Sequence, residues 1–120
     1  MGPMIDNYAQ VARLLSKLEA VLPLVAHIPT DLAEALRDDL EAGRVPAVCQ
    51  VTEVSYAGDA GGIMCRFHLG SELERPFFVS ITHLRFDGRS PLAREIAAYQ
   101  KRRVKRIRRL APPAFVMART

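Results

Sequence analysis

The chain has 120 residues, of which 49% are apolar and 25% are charged. This composition is typical of a globular protein and excludes an intrinsically disordered chain, and the length predicts one domain, 1–120. The net charge of +4 is distributed unevenly. The last 32 residues hold ten basic residues and one acid, a net +9, whereas the first 88 hold seven basic residues and twelve acids, a net −5. This asymmetry indicates a polyanionic partner or acid–base pairing within the protein.

The two cysteines, Cys49 and Cys65, are too few for the disulfide framework of a small secreted protein, so we expect a cytoplasmic location. No apolar run approaches the roughly 20 residues of a membrane span, so we expect no membrane partner. We also expect no signal peptide. Residues 1–4 are predicted to be a disordered or tag-derived start, and residues 111–120 a Pro-containing tail.

The first predicted helix covers residues 7–26, with Asp6 or Asn7 as its N-cap. Pro23 should end or kink this helix near Leu22. Apolar residues recur at helical spacing on one broad face, and a face wider than the core can cover would favour a homodimer. That face consists of Tyr8, Val11, Leu14, Leu15, Leu18, Val21, Leu22 and Val25.

A second helix is predicted over residues 31–42, with Thr30 as its N-cap and Gly43 just after its end. The two helices together predict an N-terminal αα-hairpin. One face of the second helix is acidic, and we call it the acidic strip. It consists of Asp31, Glu34, Asp38 and Glu41.

The middle of the chain has the composition and alternation of three strands, over residues 45–56, 63–69 and 77–86. The short connections, including a glycine-rich turn over residues 57–62, predict an antiparallel meander. A register that sets Tyr56 opposite Ile63 also places Glu53 opposite Arg66, an attractive cross-strand pair.

A long helix is predicted over residues 91–110, with Ser90 as its cap and Pro91 as its first residue. The order ααβββα corresponds to the α+β fold class. Basic side chains gather on this helix opposite its apolar stripe, and we call them the cationic face. They are Arg94, Lys101, Arg102, Lys105, Arg106, Arg108 and Arg109.

The cationic face predicts a surface that contacts phosphate groups, because the planar guanidinium matches phosphate oxygens and Glu95 is the last acid in the chain. DNA or RNA would bind it through the backbone. Two alternatives remain open. The face could be solvated and only complement the helix dipole, or it could pair with the acidic strip within the chain or across a dimer.

Arg103 interrupts this pattern, because the helical spacing places it in the apolar stripe between Tyr99 and Ile107. A buried, unpaired guanidinium is not tolerated. Either the helix leaves the body of the domain near Lys101, which would expose cations on all sides, or Arg103 meets an acid.

Catalytic and metal-binding patterns are weak. Cys65 and His68 have the spacing of a zinc ligand pair, but residues three apart on a strand point to opposite faces. His83 lies near the end of the third predicted strand and is a candidate accessory phosphate donor, as is Arg103. We therefore expect a non-catalytic protein without cofactor or metal. It would bind nucleic acid or, alternatively, serve as a structural protein that dimerises through its first helix.

Overall fold

The computed structural model describes residues 6–40, 45–68 and 76–110. The predictions for residues 1–4, for the tail at 111–120 and for Glu41 and Gly43 lie outside these ranges. The elements follow in chain order. They are α1 (Tyr8–Val21), β1 (Leu24–His27), α2 (Thr30–Leu40), β2 (Val48–Val51), β3 (Glu53–Tyr56), the one-turn helix α3 (Gly58–Gly61), β4 (Ile63–Phe67), β5 (Phe77–Ser80), a 3-10 turn (Ile81–His83) and α4 (Ala93–Leu110).

The α+β class is confirmed, and so is the antiparallel meander, which is formed by β3, β4 and β5 in that order. The predicted register is also confirmed, because Tyr56 lies opposite Ile63 and Glu53 lies opposite Arg66. The carboxylate of Glu53 is 3.8 Å from the Arg66 guanidinium. Strict alternation of buried and less buried side chains along β4 explains why the sequence determined this register.

The two N-terminal helices are present, but a strand lies between them. Asn7 caps α1 by accepting a hydrogen bond from the Gln10 amide, and the helix ends at Val21, before Pro23. The chain then forms β1, whose Leu24 and Ala26 are buried while its other two side chains are exposed. This strand pairs with β2 in a separate two-stranded antiparallel sheet. The predicted αα-hairpin is therefore interrupted by a long-range strand pair.

The strand predicted at 45–56 is divided into β2 and β3 at Thr52, and the strand predicted at 77–86 ends at Ser80. The side chain of Ser80 accepts a hydrogen bond from the Thr82 amide, which starts the 3-10 turn. Beyond this turn, Arg85 exchanges two backbone hydrogen bonds with His27 of β1, of 2.7 and 3.0 Å. This isolated bridge connects the two-stranded sheet to the segment that follows β5 and the 3-10 turn.

The last helix begins later than predicted, at Ala93 rather than Pro91. Leu92 has a left-handed backbone with φ of 63°, so the helix cannot extend back through it. Its side chain packs against the core, and its carbonyl accepts the first helical hydrogen bond, from Ile96. Core packing of Leu92 therefore displaces the start that Ser90 and Pro91 would otherwise set.

Buried apolar side chains from α1, both sheets and α4 form one cluster. Among the most deeply buried are Leu18, Ile63, Phe67, Ile81 and Ile96. The side-chain amide of Gln100 donates to the carbonyls of Ile81 and Leu84, at 2.7 and 2.8 Å. This contact attaches α4 to the 3-10 turn and so positions the cationic face on the domain.

Candidate nucleic-acid interface

The cationic face is largely exposed. Six of its seven side chains are in contact with solvent, and Arg106 is half-buried. Between Arg94 and Arg109 the helix covers about 22 Å at 1.5 Å per residue. The exposed cations thus lie along one side of the helix, with Glu95, Ala97 and Ala98 exposed between Arg94 and Lys101. The six exposed residues are Arg94, Lys101, Arg102, Lys105, Arg108 and Arg109.

Arg103 is buried and meets an acid, which decides between the two alternatives raised by the sequence. Its Nη1 atom lies 3.0 Å from Oδ2 of Asp6, and both side chains are only 2% exposed. Its Nη2 atom donates to the carbonyl of Asp59 at 2.7 Å. The helix therefore stays on the domain body through Lys101, and Arg103 is not an accessible phosphate donor.

Two tyrosines complete the surroundings of the Asp6 carboxylate. The hydroxyls of Tyr56 and Tyr99 each donate to Oδ2 of Asp6 at 3.0 Å. The Tyr99 hydroxyl also accepts a hydrogen bond of 3.1 Å from the Ile63 amide. We call Asp6, Tyr56, Tyr99 and Arg103 the Asp6 network. The tyrosines add two hydrogen bonds to Oδ2 of the carboxylate, which offset part of the cost of burying the ion pair.

The turn that the sequence predicted between β3 and β4 is the one-turn helix α3, and it encloses this network. Gly62 has φ of +70°, and a Cβ there would lie 2.6 Å from the Tyr99 hydroxyl and 2.7 Å from Nε of Arg103. That Nε is buried without a hydrogen-bond acceptor among the described residues. A glycine is thus required at position 62 both by backbone conformation and by the close approach of the guanidinium.

The tyrosines are held in their neutral form. Burial, with a smaller contribution from the Asp6 carboxylate, raises the pKa of Tyr99 to about 12. The same causes raise the pKa of Tyr56 far above its ordinary value. Both hydroxyls are therefore protonated donors at neutral pH, as their hydrogen bonds to a carboxylate require.

Helix α1 adds two cations that the sequence analysis did not assign to the interface. Arg13 and Lys17 are exposed on α1 and line a groove of about 210 Å³ together with Arg102, Glu95 and other residues of α4. We call this the α1–α4 groove. Lys17 forms a half-exposed ion pair of 3.6 Å with Glu95. Because Arg13 and Lys17 are four residues apart in the sequence, they lie on the same face of α1. Only the tertiary structure shows that this face adjoins α4.

The acidic strip is exposed where it is described. Asp31, Glu34 and Asp38 are in contact with solvent, and among the described residues no ion pair joins them to α4. Among the described residues, Asp6 is an acid from elsewhere in the chain that does form an ion pair with α4. Pairing of the strip with the cationic face across a dimer remains a prediction.

The residues considered for metal binding or catalysis are divided between the core and the surface. Cys49 and Cys65 are buried free thiols, whereas His68 and His83 are exposed. His83 lies in the 3-10 turn that packs against α4. In residues 6–40, 45–68 and 76–110, no group of three His, Cys, Asp or Glu side chains is placed to hold a metal ion.

None of the helices in the described ranges combines the length and hydropathy needed to cross a membrane. Comparisons of the chain with models of protein families, with curated protein sequences and with solved structures gave no match.

Proposed function

We propose that this protein is a small non-catalytic module that binds nucleic acid through phosphate groups, using the cationic face of α4. The observation that carries the proposal is the exposure of six cations along one helix whose rotation is fixed by buried Arg103. Because Arg103 and Tyr99 lie on the core side of α4, the exposed cations all turn outward. The surface is therefore formed before any partner binds.

The chemistry of the face suits a polyanion. A duplex carries one phosphate per strand for about every 3.4 Å of its axis, so the 22 Å of α4 could follow about six phosphates. Arg94, Arg102, Arg108 and Arg109 offer planar donor sets for phosphate oxygens. A cytoplasmic location belongs to the proposal, because Cys49 and Cys65 are unpaired thiols.

Fluorescence anisotropy with labelled duplex DNA and duplex RNA, at increasing salt, tests the proposal. We expect the logarithm of the binding constant to fall linearly with the logarithm of salt concentration, with a slope steeper than about −3. The triple substitution Lys101→Gln, Lys105→Gln and Arg108→Gln should make the slope shallower by up to about 2.7, at 0.9 per phosphate contact. Absence of salt-sensitive binding at low ionic strength would contradict the proposal.

The alternative function, a structural protein that dimerises through its first helix, also remains a prediction. Val11, Leu14 and Leu18 are buried within a single chain, so α1 offers a partner less apolar surface than the sequence indicated. Light scattering at micromolar concentration tests it, and a monomer would count against it.

A further inference from the structure

The α1–α4 groove lies beside the cationic face and extends it onto a second helix. Arg13 and Lys17 form one wall of the groove, and Arg102 lies on the other. Lys17 pairs with Glu95 near the start of α4, whereas Asp6 pairs with Arg103 further along it, so the two helices run in opposite directions. The groove therefore presents cations from two antiparallel helices toward one space.

We infer that the α1–α4 groove holds one phosphodiester strand of a double-stranded nucleic acid, an assignment that rests on the proposed function. Arg13 and Lys17 are four residues apart, which is about 6 Å along the helix, and a strand carries one phosphate for about every 3.4 Å of duplex axis, so both cations can contact phosphates of one strand. Arg102 belongs to both the groove and the cationic face. The same strand can thus contact α1 and α4 together.

The lining of the groove favours a duplex over a single strand. Proteins that bind single strands stack bases on aromatic side chains. The described residues that line the groove include no aromatic side chain. Tyr99 of α4 is 3% exposed, and its hydroxyl is bound within the Asp6 network. A partner whose bases are already paired and stacked, and which presents only phosphates, fits this surface better.

Glu95 opposes binding at one end of the groove. Its carboxylate holds Lys17 at 3.6 Å in an ion pair that is about half exposed. Such pairs contribute little to stability, so a phosphate can replace Glu95 as the partner of Lys17. The carboxylate that remains nearby repels the bound strand. Removal of this one negative charge should therefore strengthen binding.

The test measures binding by fluorescence anisotropy across a series of salt concentrations. The probes are a duplex of about 20 base pairs and one of its strands alone, each prepared as DNA and as RNA. The double variant Arg13→Gln/Lys17→Gln should make the salt slope shallower by about 1.8 and weaken duplex binding on the order of 50-fold at about 0.1 M salt. Glu95→Gln should tighten it several-fold. The matched control Arg37→Gln/Arg85→Gln removes two exposed charges outside the groove and should leave the slope nearly unchanged.

The outcomes separate this inference from the proposed function. Suppose that the duplex binds and that the triple variant Lys101→Gln/Lys105→Gln/Arg108→Gln weakens binding. If Arg13→Gln/Lys17→Gln then has the same duplex affinity and salt slope as the control variant, the groove assignment is overturned. The proposed function stands in that case. Equal affinity for the duplex and the unpaired strand also overturns the groove assignment. If neither form binds with salt sensitivity, the proposed function itself fails. Circular dichroism melting of each variant identifies any loss of binding that comes from unfolding.

Discussion

The guanidinium of Arg103 and the carboxylate of Asp6 lie 3.0 Å apart in the protein interior, although 97 residues separate them in the chain. Arg103 is flanked in sequence by exposed cations that face solvent. Helical spacing places Arg103 on the core side of α4, beside buried Ile96 and Tyr99, and Asp6 supplies its counter-charge. Replacing such a pair by apolar residues often costs little stability, whereas removing one partner alone leaves an uncompensated buried charge.

Removal of the buried acid should be costly. We expect Asp6→Asn, which keeps the shape of the side chain, to lower the free energy of unfolding by about 3–5 kcal/mol, because it leaves Arg103 buried without a counter-charge. Urea denaturation followed by circular dichroism measures this change.

Arg102→Gln is the control, since Arg102 is exposed, and its free energy of unfolding should change by about 0.5 kcal/mol or less. The double variant Asp6→Asn/Arg103→Met should be more stable than Asp6→Asn alone, because the uncompensated charge is gone. This rescue can be detected even if the single variant fails to fold. Equal stability of Asp6→Asn and Arg102→Gln would rule out the proposed role of the pair.

Alanine substitutions at three glycines distinguish the stability cost of backbone strain from that of steric conflict. Gly62→Ala combines a positive φ with a Cβ that would lie 2.6 Å from the Tyr99 hydroxyl, and we expect a loss of about 2–4 kcal/mol. Gly58 has φ of +74°, but a Cβ added there would have no neighbouring atom within 4 Å. Gly58→Ala should therefore lower the free energy of unfolding by only about 1 kcal/mol. Gly88→Ala meets neither condition and should be neutral or slightly stabilising. Thermal melts rank the three, and an equal cost for Gly58→Ala and Gly62→Ala would refute the steric contribution.

Alkaline pH should weaken the Asp6 network through Tyr99. The pKa of this tyrosine is raised from 10.0 to about 12, first by burial and then by Asp6, so the folded state favours the neutral phenol. The resulting stability is fully present below pH 10 and is lost as pH rises toward 12. Tyr99→Phe should cost about 1–3 kcal/mol at pH 8, and this difference from the wild type should shrink above pH 10. Urea denaturation midpoints of the wild type and of Tyr99→Phe, taken across this pH range, measure the difference in stability. A difference that stays constant up to pH 11.5 would contradict the assignment of the pH dependence to Tyr99.

The two cysteines should be inert in the native protein. Burial raises the pKa of Cys49 to about 11 and that of Cys65 to about 12, so little reactive thiolate exists at pH 8. For Cys49 the thiolate fraction alone predicts a reaction about 100-fold slower than that of a thiol at its usual pKa. A chromogenic disulfide reagent, with and without denaturant, measures the rate. Ser55→Cys adds an exposed thiol on β3 as the positive control, and rapid labelling of the wild type in native buffer would disprove the prediction.

Local patterns in the sequence were sufficient for several elements. The alternation in β4 predicted its register with β3, and Pro23 predicted the end of α1. The strand β1 was missed because its four residues follow an apolar series that still matches helical spacing. Its pairing with β2, more than 20 residues later, leaves no local pattern.

The candidate site was predictable to a similar extent. The spacing of α4 identified both the cationic face and the anomalous position of Arg103, because both depend only on helical periodicity. The partner of Arg103 could not be identified, since the sequence indicates Asp6 as one of two candidate N-caps of the first helix, the role that Asn7 has in the structure. For the same reason the sequence did not connect Arg13 and Lys17 with α4, which is distant from them in the chain.

The contact between Asp6 and Arg103 also has a consequence for biosynthesis. A ribosome releases the chain from its N-terminal end, so Asp6 emerges long before the residue that neutralises it. Asp6 cannot meet its partner until α4 has been made as far as Arg103 and the loop between these residues, 97 positions apart, has closed. The cations of α4 therefore acquire their final orientation late in synthesis, at about the same time as Asp6 becomes buried.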